Sequence, residues 1–421
     1  MTPRASVLSL VLALLAMTAC DDGGSDEPSV EAAVDAASTD GGRPDADLTD
    51  GGPMTDGEAP PPVVIDSVGG DLTYVAYTAE GGNIFSVQID GQLRQRVSWF
   101  AAPWAEHTVG PEPRYVAALR HADALPDGRP DPDSPAEVWI LDVRARRAWP
   151  ISPVGCDAGH GGVGWQNDSL VMFSMNCDGE PPVAYVVPFN DESRSRAGLL
   201  PVTTQEAAVR DVFPVVNTPV FAFTVDEEAC AGGRCVSKPT LWVGDYEVGL
   251  ACRVTDGDAD FLDTSTATDG ARRLGDQAPT FTRDLGGLVF SRNVGGKSAG
   301  PGGHFDVFRT GINTRNFFDG EPECGLEGTT VNLSADLFDD NLPGADGQPV
   351  SGQERFPQSG AGRRAPQGAL LFTGQTFTDA GATSVIWLVE LDGTRHALTE
   401  PGTWAAYARW VIDDYMLTGE R

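Results

Sequence analysis

Short apolar runs rich in β-branched and aromatic residues recur in pairs along most of this chain, and helical periodicity is nearly absent. The pairs are LTYVAYT with NIFSVQID, RYVAALR with EVWILDV, LVMFSMN with VAYVVPF, PVFAFTV with TLWVGDY, GLVFSRN with FDVFRTG, and ALLFTGQ with VIWLVEL. A polar connection rich in Gly or Pro joins the members of each pair. Several second strands run on through a charged turn into a short closing strand, as in DGQLRQRVS, RARRAWPIS and DGTRHALT. The pattern predicts six units of roughly 45 to 70 residues, and four strands per unit is the make-up of a propeller blade. The tail ARWVIDDYMLTGER reads as another blade start, with Trp410 standing where Phe281 stands in the fifth unit. It either completes the first blade, since a ring closes by pairing its terminal strands, or forms half of a seventh.

The fifth unit carries the most specific signal. In QAPTFTRDLGGLVFSRN, the residues Pro279, Phe281, Asp284, Gly286, Leu288, Phe290 and Ser291 fit a P-x-W/F-S-x-D-G-x-x-I-A-F-x-S blade pattern. IFSVQIDGQLRQRVS and IWLVELDGTRHALTE match its second half. On these residues the chain from Val63 to its end resembles the TolB-type propeller family. The resemblance implies an all-β propeller and an envelope-associated role in protein interaction. It names no partner, because a different N-terminal segment stands here in place of the domain that accompanies the propeller in TolB. Within the repeat, Asp284 to Gly287 supply turn chemistry. Pro279 is expected just before the innermost strand, where a missing N–H is tolerated.

The chain opens MTPRASVLSLVLALLAMTAC, with Arg4 as a small positive region and an apolar run from Val7 to Met17. That run is short of the roughly 20 residues of a membrane span and suits a secretory signal. Met17-Thr18-Ala19-Cys20 resembles a bacterial lipobox, which implies lipidation of Cys20 and stable anchoring through more than one acyl chain. From Asp21 to Pro62 twelve acidic residues face one basic residue, Arg43, with almost no large apolar side chain. Such a stretch cannot bury enough surface to offset its ordering entropy and is expected to be a disordered tether of about 35 Å or more. The expected organisation is a signal peptide over 1–19, the tether over 20–62 and the propeller over 63–421.

The formal net charge is -32, and only Lys238 and Lys297 are lysines. Nucleic-acid binding, which depends on neutralising phosphates, is thereby excluded as a function class. Beyond Cys20 the six cysteines of an exported chain read as three disulfides. Cys230 and Cys235 bracket a tight AGGR turn, and the remaining pairs are expected to be Cys156 with Cys177 and Cys252 with Cys324.

Several motifs look chemical and fail on context. In NVGGKSAGPGGHF, the residues Gly296-Lys297-Ser298 end like a phosphate loop, and Gly296 to Gly300 fit a nucleophile-elbow spacing. Both motifs need a following helix, yet Pro301 leads into another strand, so the segment reads as a connection between the second and third strands of a blade. CDAGH, from Cys156 to His160, has a ligand-like look without a second cluster at zinc spacing. Asp256, Asp258 and Asp260 have the spacing of a calcium loop, but Phe261 and Ala267 stand where Gly and Glu are needed. The ligand set supports weak calcium binding at most, and no other cofactor is implied. His107, His121, His160, His304 and His396 are scattered singly, and Trp165, Trp242 and Trp387 read as core. The reading that results is a lipid-anchored, non-catalytic binding module at the bacterial envelope, facing the periplasm or the cell surface. Its alternative is a secreted glycoside hydrolase or lyase with carboxylates in the propeller funnel.

Overall fold

The computed structural model describes residues 74–411 apart from 80–81, 92–93, 113, 198, 200, 204–207, 232–233, 256–274, 283, 294–304, 314–324, 335–350, 360–368, 379–380, 391–393 and 401–403. Cys20, the tether, the 294–304 connection, His304, Cys324 and the Asp256–Asp258–Asp260 triplet therefore lie outside the described residues. All named elements are strands, arranged as six four-stranded antiparallel sheets. The six-blade expectation holds.

The first blade contains β1 (Tyr74–Ala79), β2 (Asn83–Gln88) and β3 (Gln95–Arg96), and its innermost strand is β24 (Ala405–Trp410) from the far end of the chain. The tail thus completes the first blade. The second blade is β4 (Trp104–Val109), β5 (Tyr115–His121), β6 (Ala136–Asp142) and β7 (Arg147–Pro150). In the third, β8 (Cys156–Asp157) and β9 (Val163–Trp165) both pair with β10 (Leu170–Cys177), which pairs in turn with β11 (Val183–Pro188). The fourth is β12 (Ala208–Pro214), β13 (Val220–Ala231), β14 (Arg234–Asp245) and β15 (Leu250–Arg253). The fifth is β16 (Asp276–Phe281), β17 (Gly287–Asn293), β18 (Phe305–Asn313) and β19 (Gly325–Asn332). The sixth is β20 (Ser351–Ser359), β21 (Leu370–Thr378), β22 (Gly381–Val389) and β23 (Arg395–Ala397). Each innermost strand touches the next, from β4 through β9, β12, β16 and β20 to β24, and β24 returns to β4. The ring is closed.

The apolar runs have a simple cause. A second strand lies between two neighbouring blades, so both of its faces are buried and its sequence does not alternate with polar residues. Val171 and Phe173 of β10 pack toward the second blade while Met172 packs toward the fourth. Leu370 and Phe372 of β21 face the fifth blade and Leu371 the first. Six hydrophobic clusters result, one for each junction between blades.

Every blade also ends on the same latch. An apolar residue followed by Ser or Thr comes after the closing strand, or in the third blade after the single bridge of Pro201 to Tyr185: Val97-Ser98, Ile151-Ser152, Val202-Thr203, Val254-Thr255, Leu333-Ser334 and Leu398-Thr399. The apolar residue's N–H donates to a carbonyl of the third strand, at 2.7 to 2.8 Å in all six. The hydroxyl accepts the N–H of that same third-strand residue, at 2.8 to 3.1 Å, in Ile84, Val138, Ala184, Leu241, Val307 and Ile386. Two buried backbone groups per blade are satisfied this way, which is why Ser or Thr recurs at the position.

Cys156 and Cys177 form a disulfide, as expected, between directly opposed residues of β8 and β10 with Cα atoms 4.4 Å apart. Cys252 is disulfide-bonded. The backbone register sets Cys230 directly opposite Cys235 at the end of the β13–β14 hairpin. Pro279 departs from expectation. It lies inside β16, where the register with β17 shifts between Gln277 and Thr280. A bulge leaves a residue unpaired, so a missing N–H costs no ladder bond there. The Asp284 turn is as read: its carboxylate accepts from Thr282 Oγ1 at 2.6 Å and from Gly286 N at 3.2 Å.

Candidate functional site: the axis of the ring

Five of the six innermost strands, β4, β12, β16, β20 and β24, carry a register shift against their second strand. A bulge inserts a residue, bends the strand and re-aims a side chain. At these shifts Asp211, Ala278 and Tyr407 adopt positive φ angles of 50°, 52° and 59°. In the third blade the short β9 is preceded by Gly161 and Gly162, with φ of 79° and 76°. Backbone strain of this kind is stored where a structure over-determines it. A Cβ on Gly162 would come within 2.0 Å of Val212 N, so glycine is required at that approach between blades.

The bulged strands bring a charged cluster to the axis. Arg409 Nη2 of β24 donates to Glu106 Oε2 of β4 at 3.0 Å, with side chains only 4% and 5% exposed. Gly162 N–H donates to the same carboxylate oxygen at 2.9 Å. Arg409 also reaches β12, three places round the ring, where its guanidinium carbon lies 5.0 Å from the centroid of the Phe213 ring. Asp211 Oδ2 accepts from Ala278 N at 3.3 Å, and Asp211 N–H donates to the His160 carbonyl at 3.2 Å. A methyl placed on Gly161 would meet Asp211 Oδ1 at 2.5 Å and Glu106 Oε1 at 3.3 Å, so both carboxylates converge on one point. Burial draws the Arg409 guanidinium below its ordinary pKa, and the charges of Glu106 and Asp211 oppose that pull. The guanidinium stays cationic in any case. Blades one, two, three, four and five are thus tied together across the axis by Arg409, two carboxylates and backbone N–H groups.

His107 sits beside this cluster and is fully buried. Thr78 Oγ1 donates to the Ala105 carbonyl at 3.0 Å, so it accepts from Nδ1–H of His107 at 3.1 Å, which fixes the tautomer. Burial, helped by the Arg409 cation, pushes the imidazole pKa down to about 3, while the backbone carbonyls of Ala105 and Ala76 oppose the shift.

The residues singled out from sequence scatter. Cys156 is committed to its disulfide, so CDAGH is no metal centre; Asp157 Oδ1 accepts from Ala136 N and Gly159 N, both at 2.8 Å, and His160 Nε2 lies 3.8 Å from Asp157 Oδ2. His121 is buried, with Nδ1 3.0 Å from the Ser134 carbonyl, and pins the β5–β6 connection. His396 is exposed, 3.0 Å from Glu390. No cluster with metal-ligand geometry occurs among the described residues. Sequence reading missed Glu106, Asp211 and Arg409. The available signal was charged residues inside short strands destined for burial, in WAEHTV, AVRDVFP and AAYARW.

A second feature lies at the closure seam. A cavity of about 480 Å³ is bounded by Tyr77 and Val87 of the first blade, Arg94 before β3, Leu398 and Thr399 of the last latch, and Glu400 and Trp404 leading into β24.

No family model matches the chain, and no curated protein matches it. Solved structures do. TolB from Acinetobacter baumannii aligns over 82% of this chain and 68% of its own, with a TM-score of 0.52 and 14% identity. Hydrazine synthase from Kuenenia stuttgartiensis aligns over 82% of this chain with a TM-score of 0.52 and 11% identity, and the match spans 47% of that chain. The chain is a six-bladed propeller similar in fold to TolB. At these identities the likeness is one of fold alone.

Two outcomes follow from the axial cluster. Arg409→Met should lower stability by about 3–5 kcal/mol in a denaturant titration, because it strands Glu106 in a buried site; pairing it with Glu106→Gln should recover most of the loss. His107 is neutral in the native state, whereas the unfolded chain takes up its proton below its ordinary pKa of 6.5. Stability should therefore fall as pH drops from 6.5 toward 3, by up to about 1.4 kcal/mol per unit from this group. His107→Gln should flatten that part of a melting-temperature profile.

Proposed function

We propose that the protein is an exported, lipid-anchored binding module that does not catalyse a reaction. Cys20 holds it to a membrane of the bacterial envelope, the acidic 20–62 segment spaces it from that membrane, and one rim or channel mouth receives a protein, peptide or envelope component. The reading is supported by the state of the axis: Glu106 is committed to Arg409 and Gly162, and Asp211 accepts from Ala278. An incoming partner then meets loops on a rigid frame rather than a free acid–base pair. The likeness in fold to TolB is consistent with this reading, and the partner is left to experiment. The strong net negative charge, -32 over the chain, favours a partner with a basic face.

The intact chain, used as bait in envelope extracts, should retain a discrete partner at low salt and release it as salt rises. Replacing Cys20 with Ser should move the protein from the membrane to the soluble fraction. Hydrolysis or elimination of any glycan, lost on Asp211→Asn in a variant that keeps its circular dichroism, would instead establish the enzymatic alternative.

A further inference from the structure

The cavity at the closure seam is lined from both ends of the propeller: Tyr77, Val87 and Arg94 come from its first blade, and Leu398, Glu400 and Trp404 from the far end of the chain. Its volume, about 480 Å³, lies at the lower end of the range of ligand sites, roughly 300–1,000 Å³. The lining is of two kinds. Val87, Ala79, Leu398, Ala405 and Trp404 are apolar. Arg94, Glu400, Thr399 and the Tyr77 hydroxyl supply polar groups.

The two charges are of opposite sign and share one neighbour. The Arg94 guanidinium carbon sits 4.2 Å from the Phe85 ring centroid and 5.8 Å from that of Tyr77, so the cation is held over two stacked rings. Both Arg94 and Glu400 act electrostatically on the Tyr77 hydroxyl. Burial raises the pKa of that hydroxyl, which therefore stays a neutral donor. A guanidinium offers parallel donors that fit a carboxylate, and a carboxylate accepts an ammonium. The chain carries a net charge of -32, which repels anionic ligands but leaves a neutral dipolar one unaffected.

We propose that the seam cavity binds a zwitterionic amino acid or dipeptide with an apolar or aromatic side chain. The ligand's carboxylate pairs with Arg94, its ammonium with Glu400, and its side chain rests on Trp404 and Leu398. Because the walls come from opposite ends of the ring, only the closed propeller has the site, and occupancy stabilises closure by mass action. The proposal does not depend on what a rim or channel mouth binds.

Thermal unfolding of the full chain with free phenylalanine, leucine, tryptophan and Phe-Phe as probes tests the proposal. At least one should raise the melting temperature in a saturable way. N-acetylphenylalanine, which lacks the ammonium, and phenylalaninamide, which lacks the carboxylate, should not. Arg94→Met and Glu400→Gln should each weaken the effect about tenfold or more relative to their own unliganded melting temperatures. A response to Phe-Phe and not to the single amino acids assigns a dipeptide, and the reverse assigns the free amino acid. The proposal is overturned if no probe shifts the melting temperature, if the blocked compounds act as well as the free ones, or if neither substitution alters the response.

Discussion

A propeller blade has two apolar faces and can bury neither by itself, so the fold depends on having no first or last blade. Here that constraint is met by β24, which leaves the sixth blade and pairs along β1 from Val75↔Trp410 to Ala79↔Ala405. The cluster that includes Val75, Tyr77, Leu371, Ile386 and Trp410 exists only because the two ends of the chain share a sheet. Closure then makes every other junction equivalent. The Ser or Thr latch repeats in all six blades because each faces the same problem, two backbone groups of a buried third-strand residue to satisfy.

Closure also sets the chemistry of the axis. Six innermost strands converging on one line leave space for few side chains, and the bulges decide which ones enter. Arg409 on the closing strand binds Glu106 of the second blade and stacks on Phe213 of the fourth, so the strand that shuts the ring also fills its centre. A buried ion pair gains little over a well-packed apolar core, but breaking it is costly. The centre is therefore a structural pin, which directs the functional reading toward the rims and the seam.

Much of this architecture was legible in the chain itself. The paired apolar runs located both middle strands of all six blades: the second strands are buried on two faces, and the third strands alternate buried with part-buried residues, as in β2 and β22. The closing strands of the first, second and sixth blades were visible as RVS, PIS and ALT; the equivalent PVT, RVT and NLS went unnoticed because a two-residue latch has no periodicity of its own. Pro279 was read as a strand start because its missing N–H suggests an end, and only the register shift reveals a bulge. Glu106, Asp211 and Arg409 come from positions far apart in sequence and become neighbours through ring geometry, which no local pattern encodes. CDAGH lacks a second cluster at zinc spacing, and its cysteine pairs with Cys177 as expected.

The most direct test of the closed ring is the unfolding of a chain that ends at Glu400 and so lacks β24, followed by calorimetry and by hydrogen exchange on peptides covering β1, β5 and β21. The account predicts loss of the single cooperative transition and of slow exchange in β1, with the loss spreading to its neighbours β5 and β21. A truncated chain that melts in one transition at the parent temperature, with β1 still protected, would contradict it.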